Sequence, residues 1–179
     1  MTFKAFGRCA VALVFAVGLS SCGGSSGYAG TAIAFSNGSF SATLVEAKVT
    51  SLFAEIYISV EPAIVENQLG KTTLFTPSNA AIEKYLTEKS VTIGELIARP
   101  KVALQLVLAH FFERTISATE LLNMNGEPLV MLNGSTFTID TSSGPTQLVN
   151  GDGLASTLIA IDLVSTDGVV HIVDAVLQP

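Results

Sequence analysis

An α+β fold, helices first and a largely antiparallel sheet after them, is what this sequence predicts, and three observations carry the prediction. Apolar residues recur at helical spacing early in the chain, at Leu44, Ala47, Val49, Leu52, Phe53 and Ile56, and again at Ala103, Leu106, Val107 and His110. Beyond Gly126 the period drops to two, the spacing of a half-buried strand. An Asn-Gly pair at Asn133-Gly134, the strongest short hairpin signal, divides the first two runs of that kind. The chain has 179 residues, 49% hydrophobic and 13% charged, enough for one domain with a sizeable core. That composition is the opposite of a disordered chain.

Taken in order, the first apolar series predicts one or two helices up to about Tyr57. Pro62 then begins a second short piece, 63–69, stopped by Gly70. A short strand, Thr72 to Phe75, follows. Thr76 before Pro77 reads as an N-cap followed by the first helical residue, since proline has no N–H to satisfy there, and the helix Asn79 to Leu86 comes next. Thr92 caps another helix, Ile93 to Ala98, and Pro100 opens the one carrying His110. The hairpin pairs Leu129–Leu132 with Ser135–Ile139. Two later strands, Thr157 to Val164 and Val169 to Leu177, are separated by Ser165-Thr166-Asp167-Gly168.

Residues 1–21 stand apart. Lys4 and Arg8 precede an apolar stretch from Cys9 to Leu19, the pattern of a secretory signal and too short for a membrane span. Leu19-Ser20-Ser21-Cys22 then resembles a bacterial lipoprotein box, in which the cysteine is lipidated and becomes the new N-terminus. On this reading Cys22 is the lipidation site and acyl chains tie the protein to a membrane. Residues 22–38, rich in Gly, Ser and Ala and without charge, form a flexible tether, and the folded domain runs from 39 to 179. Gly23 after the cysteine favours the outer membrane where the host has one, by resemblance to the usual sorting pattern.

Charge and composition exclude several functions. Fifteen acids against nine basic residues give −6, and loss of Lys4 and Arg8 with the signal takes the remainder to −8, so nucleic acid is not an expected partner. Two His and two Cys cannot assemble a multi-ligand zinc site or a disulfide framework, and no cofactor is implied. Lys84, Lys89, Arg99, Lys101 and Arg114 all come from the central helical region; a solvated mixed-charge face accounts for them better than an anion-binding patch.

Two segments taken together resemble the fasciclin domain family. Thr72-Thr73-Leu74-Phe75-Thr76-Pro77-Ser78-Asn79-Ala80-Ala81-Ile82 is similar to its first motif, a strand ending in Phe-x-Pro and meeting an Asx-x-Ala helix. Asp167-Gly168-Val169-Val170-His171-Ile172-Val173-Asp174-Ala175-Val176-Leu177-Gln178-Pro179 is similar to its C-terminal motif, and Leu106 to His110 sits where the family has Leu-x-x-His. The resemblance implies a β-sandwich or wedge with helices packed on one side, and adhesion or extracellular binding rather than catalysis. It marks Thr76, Pro77, Asn79, His110, Gly168, His171 and Asp174 as structural motif residues. In that family a Tyr often precedes the central His and is tied to integrin adhesion in animal members. Ala109 holds the position here, so integrin binding is not implied.

The remaining candidates for chemistry have plainer readings. His171 and Asp174 are three positions apart on a strand, which points them to opposite faces and argues against an acid–base dyad. His110 lies on an apolar helix face, where a buried, hydrogen-bonded core histidine is expected. Ser78 lacks the Gly-x-Ser-x-Gly setting of a hydrolase nucleophile, and helix capping explains Thr76, Ser78 and Asn79. Asp140, Asp152, Asp162 and Asp167 do not have calcium-loop spacing. Two functions therefore stay open: an adhesion or binding module contacting an envelope protein, matrix or polysaccharide, or a carrier of an apolar small molecule such as a carotenoid or lipid.

Overall fold

The computed structural model describes residues 38–65, 70–142 and 144–178; Cys22, the signal and nearly all of the tether lie outside them. Helix α1 (Phe40–Glu46) leads through a single 3-10 turn into α2 (Ser51–Val65). Thr50 closes that turn by donating its hydroxyl to the carbonyls of Leu44 and Ala47, at 2.9 and 2.8 Å. The expected break at Pro62 does not occur, and α2 runs through the proline to Val65. Pro62 faces solvent, while Phe53, Ala54, Ile56, Tyr57, Val60 and Ile64 bury the rest of the helix, so tertiary burial outweighs one lost backbone bond.

Strand β1 (Thr72–Pro77) is longer than expected, because Thr76 and Pro77 belong to it. The cap of α3 (Asn79–Lys89) is Ser78, whose hydroxyl accepts from the Ala81 amide at 3.3 Å. Proline fits the strand end because β1 has a partner on each side but Pro77 closes it. Helix α4 (Ile93–Ile97) starts at Thr92 with a full capping box to Glu95, and α5 (Pro100–Leu108) carries proline in its first turn. Three elements escape the sequence pattern by being short: β2 (Phe111–Phe112), α6 (Ala118–Asn123) and, after the hairpin, β5 (Gln147–Val149). The hairpin joins β3 (Pro128–Val130) to β4 (Thr136–Asp140), with Leu129 opposite Phe137 and Gly134 at φ 87°. Met131 and Leu132 leave the expected strand, and the Leu132 amide donates instead to Phe111 O at 2.9 Å.

Strands β6 (Ala155–Ser165) and β7 (Gly168–Val173) complete a sheet of order β2-β1-β7-β6-β5-β4-β3. Every pairing is antiparallel except β1 with β7. The long β6 belongs to both halves: Ala155–Thr157 pair with β5, and the rest pairs with β7 through register shifts around Ala160 and Leu163. Asp162 at φ 56° sits in that irregular stretch, which bends the strand and splits the sheet into two wings of a wedge.

The wedge creates two apolar clusters. Helices α1 to α5 cover one side, with Leu74, Leu163, Val170 and Ile172 from the sheet. Between the wings lie Phe75, Ile116, Leu121, Phe137, Ile139, Leu148 and Val173. Strand alternation explains the division, since Leu74 and Phe75 are neighbours facing opposite clusters. Being covered on both faces, β1 is buried along its whole length.

Candidate functional site

Both histidines lie beside the central β1–β7 pair, each against a different cluster. His110 follows α5 and tilts against Phe53 with ring centroids 5.1 Å apart; His171 in β7 stacks on Phe75 at 5.4 Å. Both are fully buried. The structure therefore does not bring them together into one site.

Their hydrogen bonds assign opposite tautomers. His110 donates from Nδ1 to Leu106 O at 2.8 Å, and Nε2 accepts from the Leu177 amide at 3.0 Å. His171 donates from Nε2 to Ile116 O at 2.9 Å, and Nδ1 accepts from the Asp162 amide at 3.2 Å. Burial drives the His110 pKa down to about 4, against the opposing pull of the Leu106 carbonyl. Burial lowers His171 as well, opposed by the Ile116 carbonyl and the Asp162 charge. Each neutral ring spends both nitrogens on backbone, which leaves neither one for proton transfer or metal ligation.

Asp174 is exposed and makes no dyad with His171. Its Oδ1 accepts from the Thr157 amide at 2.7 Å and its own amide donates to Thr157 O, fastening the end of β7 to β6. Gly168 has a φ of 148°, and a Cβ there would stand 1.8 Å from Thr72 O, so the parallel β1–β7 pair requires glycine at this point.

Helix capping does not explain all three residues of the first motif. Thr76 caps nothing, and its Oγ1 is buried without a hydrogen-bond partner. Asn79 serves another helix: Oδ1 accepts from the Leu52 amide at 3.0 Å, in the first turn of α2, and Nδ2 donates to Lys48 O at 2.9 Å. Ser78 alone caps α3.

Two aspartates do the same work over long distances. Asp167 Oδ2 accepts from the Phe40 amide opening α1 at 2.9 Å, and Asp162 Oδ1 accepts from the Ala118 amide opening α6 at 2.8 Å. Sequence reasoning missed both roles, because the partners are 127 and 44 residues away. Of the five central basic residues, Lys84 pairs with Glu88 at 3.9 Å and Arg114 with Glu120 at 2.6 Å, as in a mixed-charge face. Among the described residues no three His, Cys, Asp or Glu side chains converge as a metal would need, and no helix is long and apolar enough to cross a membrane.

Such an arrangement, a split antiparallel-dominated wedge with helices on one side and both motif histidines tied to backbone atoms, defines the class of scaffold. The fasciclin domain family matches residues 39–179, and the chain belongs to it. Among curated relatives it is similar to mouse stabilin-1, 31% identical over 111 residues, covering 62% of this chain and 4% of that protein. It is likewise similar to human periostin, 33% identical over 110 residues, 62% of this chain and 12% of that one. With transforming growth factor-beta-induced protein ig-h3 of Sus scrofa the identity is 30% over 110 residues, again 62% of this chain, and 15% of the relative. The chain thus spans a small fraction of each of these relatives. A solved FAS1 domain pair from the insect cell adhesion molecule fasciclin I superposes with a TM-score of 0.57 at 22% identity, covering 74% of this chain and 46% of that one.

Proposed function

We propose that this chain is a non-catalytic adhesion or binding protein of a bacterial cell envelope, held at the membrane by a lipid on Cys22. One observation carries the non-catalytic reading: the two buried histidines, the groups best suited to acid–base work near neutral pH, have all four ring nitrogens committed to backbone atoms. Family membership and the likeness to an insect cell adhesion molecule support adhesion as the positive content. The lipoprotein-box resemblance at 19–22 and the Gly/Ser/Ala-rich run behind it support the anchor and an exported location. The contact surface is expected on the domain, away from the tether.

Two experiments test this. Cys22→Ala should move the protein out of the membrane fraction, and unchanged fractionation would sink the anchor. A pull-down of envelope components with residues 39–179, with absorbance spectra on the same sample, should yield a saturable protein or glycan partner. A stoichiometric chromophore or lipid in its place makes the protein a carrier, and measurable substrate turnover defeats both readings.

A further inference from the structure

A cleft of about 560 Å³, within the size range of small-ligand pockets, opens between the start of α1, the second half of α2 and the β6–β7 turn, and neither histidine lines it. Tyr57, Glu61 and Ile64 reach it from one face of α2, at i, i+4 and i+7. Phe40 and Phe111, edge to face at 5.6 Å, add aromatic lining, and Tyr57 stacks on Phe111 at 6.1 Å. The turn contributes Asp167.

The polar groups in this cleft are under-used. Tyr57 is only 3% exposed, and its hydroxyl, which takes no hydrogen bond from another described residue, is not among the buried unpartnered atoms and so stays open to the cleft it lines. Burial, then Glu61, then Asp167 raise its pKa, which places both carboxylates within electrostatic reach of the phenol and keeps it protonated. Asp167 is held in place, Oδ2 by the Phe40 amide at 2.9 Å and Oδ1 by the Thr166 hydroxyl at 3.0 Å. Neither Glu61 nor Asp167 makes an ion pair among the described residues, although Lys71 is also in the lining. Two carboxylates disfavour an anion, and their desolvation disfavours a wholly apolar guest. Carboxylates beside aromatic rings and an open hydroxyl suit a cation with an apolar body.

We propose that this cleft binds a small organic ammonium ion. Its charge faces Glu61 and Asp167, an N–H donates to the Tyr57 hydroxyl, and its apolar part lies against Phe40, Ile64 and Phe111. The proposal does not rest on the adhesion reading, since it is argued from the lining and charge of the cleft alone.

The test uses the full chain in detergent and phenethylammonium chloride as probe, followed by calorimetry and by NMR shifts of the Ile64 methyls. One-to-one saturable binding is expected, with 2-phenylethanol, the neutral analogue, at least about tenfold weaker. Glu61→Gln should weaken the ammonium about tenfold, and Asp167→Asn by a similar factor while its amide oxygen still accepts from the Phe40 amide. Tyr57→Phe should cost a few-fold. Melting curves check that each variant is folded, and if Asp167→Asn is not, Glu61→Gln decides alone. Equal affinity for the alcohol, binding unchanged in Glu61→Gln, or no saturable binding of the ammonium overturns the proposal. The envelope pull-down is unaffected by any of these results.

Discussion

His110 and His171 are the same residue type at the same depth, yet they hold different kinds of structure together. His110 joins a helix end to the C-terminal segment, taking one partner four residues away in Leu106 and one 67 away in Leu177. His171 joins a bent strand to the loop before α6, through Asp162 and Ile116, 9 and 55 residues distant. The His110 partners are buried, whereas Asp162 is exposed, so water can replace part of what His171 supplies. A motif histidine is therefore a tie between segments, and its strength is set by what surrounds the partner.

The largest effect is expected where both regions meet, at the β1–β7 seam. Gly168→Ala puts a Cβ 1.8 Å from a backbone oxygen, and the strand pair must separate to admit it. A loss above about 4 kcal/mol, or failure to fold, should appear in denaturant titration. Near-native stability would mean that the two regions do not depend on a common seam.

Next come the histidines themselves. His110→Ala removes a ring packed on Phe53 and orphans the Leu177 amide, and about 3–4 kcal/mol should be lost. His171→Ala should cost less, about 1–3 kcal/mol, because the Asp162 amide can turn to water. The reverse order in chemical denaturation would break the comparison. Binding by the surviving folded fraction of His171→Ala should persist.

Acid should separate them too. A histidine whose folded pKa lies below its unfolded value favours the fold fully above about pH 6.5, and that contribution is lost as pH falls toward the folded pKa. For His110, going from 6.5 to about 4, the loss is on the order of 3 kcal/mol. Stability measured between pH 7 and pH 4 should fall, with a shallower slope in His110→Ala. A slope unchanged by that substitution would mean that other groups carry the acid sensitivity.

The smallest effect concerns Thr76, whose hydroxyl is buried without a bond among the described residues. Thr76→Val removes a buried, unpartnered oxygen at nearly constant shape, so stability should rise by up to about 1 kcal/mol. A loss of more than that would show that the hydroxyl has a role in the fold.

Much of this architecture is written locally. Thr92 with Glu95 and Pro100 after Arg99 announce helix starts, because caps act within one turn. The alternation from Leu129 to Ile139 and the Asn133-Gly134 turn announce the hairpin for the same reason. The strand position of His171 follows from periodicity counted along the chain, whereas His110, expected on the helix opened by Pro100, stands just past its end at Leu108. What the tertiary structure alone decided involves distant partners or competition between them. Pro62 stays helical because burial of the α2 face outweighs its missing bond, and Thr76 and Pro77 extend β1 because β7 is there to pair with them. Asn79 and Asp167 accept from first-turn helix amides 27 and 127 residues earlier, and Tyr57 meets Asp167 only once α2 and the β6–β7 turn have packed. Local spacing encodes local hydrogen bonds, whereas a cap or a cleft built from remote segments exists only after the chain has closed on itself.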